Sequence, residues 1–216
     1  VVTSEHGEIA IFGNFDLLAL LLGHLLRAFG EFRAGKALHD QDRLFHVGGL
    51  EADVRALQRD GALDAAAATG LPVCLMHMRG DPRTMQADPH YADVVAEVKT
   101  FLLQRVAACE AAGIGRQRLL LDPGFGFGKT LEHNIQLLGN LRQLRARGWP
   151  MLVGVSRKST LGALTGRNVQ ERLPASLAAA VIACMQGAEI IRAHDVAPTV
   201  DALKIVRAVN TMGSTL

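Results

Sequence analysis

Leu119-Leu-Leu-Asp-Pro-Gly-Phe-Gly-Phe-Gly-Lys129 is the stretch that decides how the rest of the chain is read. Residues 119–121 form a short apolar run that stops at Asp122-Pro123-Gly124, the pattern of a strand buried on both faces and closed by a turn. Pro123 has no N–H to carry a ladder onward, and glycines at 124, 126 and 128 open the backbone of the loop that follows. A carboxylate therefore stands at the C-terminal end of a buried strand, ahead of two aromatic rings and a cation. Taken alone, this is as readily a turn with a capping aspartate as a ligand site.

Outward from it, apolar and polar text alternates regularly. Upstream, residues 71–78 read as a second buried strand that leaves through the polar loop 79–83. Residues 91–112 read as a long amphipathic helix with Val94, Val95, Val98, Phe101, Leu102 and Val106 on its inner face, ended by Gly113. Earlier still, 54–57 reads as a short strand and 62–69 as an alanine-rich helix ending at Gly70. Downstream come a helix around 131–147 and a strand over 151–155 that ends in Ser156-Arg-Lys-Ser159. A helix over 174–186 follows, then a strand over 189–192 running into Ala193-His194-Asp195, and a terminal helix over 199–209. Asp195 reads as a turn or N-cap aspartate before that helix.

Strand and helix alternating through short connections call for a parallel sheet, and in such folds polar groups at the C-terminal strand ends mark the active face. His77, Asp122, the Ser156–Lys158–Ser159 cluster, and Arg192 with His194 occupy that position on four strands. Each has a bland alternative; His77 alone is more often a satisfied core histidine than a ligand. Four such ends together favour a ligand. A buried carboxylate suits a heterocycle offering two N–H donors on one edge. Lys158 suits a ring carbonyl or an anionic oxygen. Arg192 and His194, two apart on extended chain, point to one side and suit a phosphate or diphosphate. Phe125 and Phe127 offer flat apolar surface to an aromatic partner.

Composition sets the limits. At 216 residues, with 49% hydrophobic and 20% charged residues, the chain is long enough for one domain with a real core. A formal charge of +2 gives no reason to expect nucleic acid. Cys74, Cys109 and Cys184 have no metal or CxxC spacing and read as reduced thiols of a cytoplasmic protein. Residues 1–50 differ in character. A leucine-rich helix is expected from Asn14 or Asp16 to Gly30, but Asn14, Asp16 and His24 leave its apolar run short of the ~20 residues of a membrane span. No signal-peptide pattern is expected there either. The division expected is an atypical segment 1–50 and a ligand-binding domain 51–216.

Leu75-Met-His-Met78, Asp122-Pro-Gly-Phe-Gly-Phe-Gly-Lys129, Val153-Gly-Val-Ser-Arg-Lys-Ser159 and Arg192-Ala-His-Asp195, in this order, closely resemble bacterial dihydropteroate synthases from about residue 53 to 209. The resemblance implies an α/β fold of the (β/α)8 TIM-barrel type, whose strands four to eight are those read here. It implies condensation of 6-hydroxymethyl-7,8-dihydropterin diphosphate with 4-aminobenzoate, Mg2+ as cofactor, sulfonamide as inhibitor, and a homodimer. Lys158, Arg192 and His194 would be catalytic. Asp122, Phe125, Phe127, Lys158, Ser159, Arg192 and His194 would bind substrate, Asp122 taking the pterin edge and Arg192 with His194 the diphosphate. No metal ligand is assigned.

The family's Asn-Val-Thr-Pro-Asp-Ser-Phe, Asp-Val-Gly-Gly-Glu-Ser-Thr and Val-Asp-Thr motifs do not stand in this sequence, and Ala52 replaces a pterin-contacting Asn. Two other readings follow. One is a non-catalytic pterin-binding or assembly protein. The other is a pterin-binding methyltransferase domain, against which Ser156-Arg-Lys-Ser159 and the two-phenylalanine loop speak.

Overall fold

A computed structural model describes residues 8–11, 45–47, 50–53, 55–145 and 148–213. The leucine-rich helix expected over residues 14–30 lies outside the described residues. In chain order the elements are β1 (Glu8–Ile11), β2 (Phe45–Val47), β3 (Leu50–Asp53), α1 (Ala62–Thr69), β4 (Val73–Met76), α2 (Val94–Ala111) and β5 (Leu119–Asp122). They continue with α3 (Leu131–Gly139), α4 (Leu141–Leu144), β6 (Leu152–Val153), α5 (Ser159–Thr165), α6 (Leu173–Met185), β7 (Ile190–Ala193) and α7 (Val196–Gly213).

β3, β4 and β5 pair in parallel, with Ala52 opposite Cys74 and Met76 opposite Asp122. β6 and β7 pair in parallel as well, Val153 facing Ile191. The two ladders meet at a parallel bridge between Leu121 and Met151, where the Leu121 N–H donates to the Pro150 carbonyl at 2.9 Å. Five parallel strands in sequence order with helices between them make the fold barrel-like α/β, as the alternating text predicts. Its outer strands run the other way: β2 pairs antiparallel with β3, and β1 antiparallel with β7. The boundary expected at residue 50 falls between β2 and β3, which pair with each other.

The core lies between the sheet and its helices. β4 and β5 are buried at every position, which is why they read as unbroken apolar runs. On α2, Val94, Val98, Leu102, Val106 and Cys109 recur at three- and four-residue intervals and are buried. Removal of each such side chain from water stabilises the fold by about 1.5–3 kcal/mol. The Asp93 carboxylate starts this helix by accepting from the Val95 and Ala96 N–H groups, both at 3.0 Å.

Two expectations are corrected. The strand near residue 54 is Leu50–Asp53; Arg55–Leu57 is a turn, with Ala56 and Leu57 at φ 50° and 58°. Their carbonyls are held by Arg105 at 2.7 and 3.0 Å, and both residues are buried, so apolarity here signals a packed turn. The helix expected over 131–147 breaks at Asn140, whose side chain engages Gln136 and Gln143 in place of a regular ladder. Asp195 stands in the turn directly before α7, as expected, and its carbonyl accepts the Thr199 N–H at 3.2 Å; Arg157 takes its carboxylate, Nε to Oδ2 at 2.9 Å and Nη2 to Oδ1 at 2.5 Å.

Candidate functional site

Parallel strands deliver their C-terminal ends to one rim, and adjacent registers set the distances there. Asp122, last residue of β5, is 2% exposed. Its Oδ1 accepts the Gly124 N–H at 2.7 Å, and its Oδ2 stands 3.7 Å from Arg192 Nη2, an ion-pair distance beyond direct hydrogen bonding. Arg192 rises from β7 and crosses Gly154. A methyl there would lie 2.9 Å from Nη2 and 3.0 Å from Nε, so the glycine leaves the guanidinium its path.

Lys158 precedes α5 and turns back over the loop after β5, its ammonium 4.3 Å from the centroid of the Phe127 ring. Burial, then the Arg192 guanidinium, hold its pKa below the ordinary lysine value, against the pull of Asp122. One carboxylate beside two cations leaves the cluster with surplus positive charge, which favours an anionic ligand. His194 places Nδ1 3.0 Å from Ser156 Oγ, which also accepts the His194 backbone N–H at 3.2 Å. With Ser156 as donor to Nδ1, Nε2 carries the ring proton. Burial, then Arg157, lower this pKa too.

Asp122, Phe127, Lys158 and Arg192 thus converge, with His194 two residues beyond Arg192, just past the end of β7. Ser159 is exposed at the first turn of α5. Phe125 is the exception: at 2% exposure it packs in the hydrophobic core and offers no face to a ligand. His77 is a satisfied interior histidine, Nδ1 3.0 Å from Lys129 Nζ and its ring edge-on to Phe101. A groove of about 520 Å³ between the loop after β4 and α2 touches His77 and none of Asp122, Lys158 or Arg192.

The matching family model is that of the pterin binding enzymes, over residues 52–194. The chain belongs to this family. The pterin-binding signature therefore covers β4 to β7 and every rim residue named above. Dihydropteroate synthase of Escherichia coli (strain K12) is 57% identical over 156 residues, 72% of this chain and 55% of that protein. The crystal structure of Yersinia pestis dihydropteroate synthase in a sulfonamide drug complex superposes with a TM-score of 0.74 at 53% identity, covering 76% of this chain and 60% of that one. Dihydropteroate synthase from Xanthomonas albilineans in complex with 7,8-dihydropteroate gives 0.70 at 51%, covering 75% and 61%. The chain spans about half the length of the curated relatives it matches.

At this rim, two residues that strand-end reasoning passed over have structural weight. Lys129, 3% exposed, donates from Nζ to Gly124 O at 2.8 Å, to Phe127 O at 2.9 Å and toward His77 Nδ1. Arg157 has φ 56°, a strained value for a side-chain-bearing residue, and is held on all sides. Its N–H donates to Ser176 Oγ, its carbonyl accepts from Arg172, and its guanidinium takes Asp195. The signal for Lys129 was its place directly after a glycine loop; nothing in the sequence marks the strain at Arg157. Among the described residues no three His, Cys, Asp or Glu side chains are grouped to hold a metal, and no helix is long and apolar enough to cross a membrane.

Proposed function

We propose that this chain carries the pterin and diphosphate half of a dihydropteroate synthase site and joins a dihydropterin methyl diphosphate to 4-aminobenzoate. The observation that carries the reading is the approach of Asp122 to Arg192 beside Lys158 at one rim. Asp122 retains lone pairs beyond the one given to Gly124 and accepts the N–H edge of the pterin. Lys158 donates to the ring carbonyl, and Arg192 with His194 holds the diphosphate. The bond between the exocyclic methylene and the diphosphate oxygen breaks, its electron pair leaving with diphosphate. The arylamine nitrogen then bonds to that carbon and releases one proton to solvent. The work asked of the protein is stabilisation of the leaving anion and orientation of two flat rings, the second against Phe127 and Ser159.

Magnesium enters this reading as a counter-ion of the diphosphate. The described residues do not fit a protein-held Mg2+, which prefers oxygen donors, and no step here passes through it. A cytoplasmic location accords with three free thiols at Cys74, Cys109 and Cys184. A homodimer through α6 and α7 is also proposed, because Ile182, Met185, Ile205 and Val209 are exposed there; sedimentation of the chain as a monomer would remove it.

A second reading, pterin binding without turnover, is favoured by Ala52, a methyl-bearing residue on β3 in place of the amide that the resemblance implies. Diphosphate release with both substrates and Mg2+, beside calorimetry with pterin alone, separates the two. Turnover at least tenfold above an Asp122→Ala control supports the synthase. Pterin binding at the control rate of turnover supports the second reading.

A further inference from the structure

We propose that Lys129 is a positioning residue: its ammonium folds the loop after β5 around itself and so sets the Phe127 ring beneath Lys158. The geometry is that of a cation enclosed by its own loop. An ammonium has three N–H donors, and three acceptors stand at good distances: Gly124 O at 2.8 Å, Phe127 O at 2.9 Å and His77 Nδ1 at 3.0 Å, with His77 O farther out at 3.4 Å. Two of the acceptors belong to the loop and two to the end of β4, so the side chain fastens one strand end to the other.

The loop is pressed hard against that anchor. Gly124 and Gly128 have φ of 67° and 62°, and a methyl at either would collide with the carbonyl of His77 or Arg79. Around Lys129 two further backbone groups are taken as well: Gly126 N–H donates to Asn134 Oδ1 at 2.7 Å, and Tyr91 O–H to Gly128 O at 2.9 Å. The consequence reaches the rim through one residue. Phe127 gives its carbonyl to Lys129 on one side and its ring to the Lys158 ammonium on the other. Asp122 and Arg192 are placed by strands, and the Asp122 carboxylate meets the fastened loop through the Gly124 N–H. Loss of the Lys129 ammonium therefore moves the aromatic wall and leaves the acid and the guanidinium in place. Burial also draws the Lys129 pKa down to about 7, against the attraction of Asp122, so the ammonium is held at an energetic cost.

The test needs one readout free of any ligand. In protein labelled with 13C-lysine, the Lys158 ε-methylene, bonded to the ammonium that stands over the Phe127 ring, should carry a ring-current shift, which F127L removes and so calibrates. Expected for K129M, with helicity and Tm showing it folded, is movement of the Lys158 signal at least halfway to its F127L position. A K129M signal at the wild-type position overturns the proposal. Should K129M not fold, K129Q retains two donors; a partial displacement supports the assignment, and none overturns it. The ligand arm rests on the proposed function: K129M should weaken 4-aminobenzoate, measured with pterin and diphosphate present, about tenfold and pterin alone less than twofold. Equal loss of both ligands would overturn the positioning role in favour of a general structural one. A wild-type chain that binds neither ligand defeats the proposed function, and the lysine signal then decides the role of Lys129 by itself.

Discussion

Arg192 Nη2 and Asp122 Oδ2 stand 3.7 Å apart at the rim, the arginine 40% exposed and the aspartate 3% by side chain. The pair is thus close enough to feel each other's charge and too far apart to be locked together, so a ligand can insert hydrogen bonds between them. Asp122→Asn should keep the Gly124 contact through its carbonyl oxygen and lose pterin affinity at least tenfold by calorimetry. Asp122→Ala should in addition destabilise the fold by about 1–3 kcal/mol, because a buried N–H is left without its acceptor; urea unfolding reads this directly.

Gly154 offers a cleaner separation of site from fold. An alanine methyl there meets the Arg192 guanidinium at 2.9 Å, the far end of a flexible side chain. Gly154→Ala should therefore leave the thermal midpoint within a few degrees while diphosphate affinity falls about tenfold. A loss of both would show that the residue serves packing.

His77 should make the fold acid-sensitive. Burial first, then the Lys129 ammonium and Arg79, hold its pKa down to about 3 from an ordinary 6.5. The folded state therefore binds the proton more weakly than the unfolded one. The stability this contributes is complete above pH 6.5 and is lost as pH falls toward 3, by on the order of 3–5 kcal/mol. Stability measured by urea unfolding for the wild type and His77→Asn should converge across that interval. Parallel curves would contradict the assignment.

Arg157 tests backbone strain against ion pairing. Arg157→Gly loses the Asp195 contact but relaxes at φ 56°, whereas Arg157→Ala loses the contact and keeps the strain. The alanine variant should be less stable than the glycine variant by about 1 kcal/mol. Equal stabilities would mean that the backbone there carries no strain.

The strands and their ends were legible because Leu119–Asp122 and Val73–Met76 are buried on both faces, and a parallel sheet then fixes where Asp122, Lys158 and Arg192 emerge. What failed to read out depended on contacts between segments. Phe125 and Phe127 sit two apart on one loop, yet one enters the core and the other faces Lys158, since Gly124, Gly126 and Gly128 all take positive φ and destroy any alternation. Lys129 follows a glycine loop and looks solvent-bound by composition; its burial depends on the neighbouring strand end at His77. Residues 50–57 misled in the opposite way. Glu51 and Asp53 disguise a strand, while the buried Ala56 and Leu57 belong to a turn that Arg105 holds from a helix nearly fifty residues away.

The meeting of β5 and β6 through Leu121 and Met151 has a mechanical corollary. The acid hangs from one ladder and both cations from the other, so whatever molecule is gripped by all three acts as a rivet across the seam. Occupancy should then be felt as stiffness: hydrogen–deuterium exchange at the Leu121 amide, which donates to Pro150 along that joint, should slow when ligand is added.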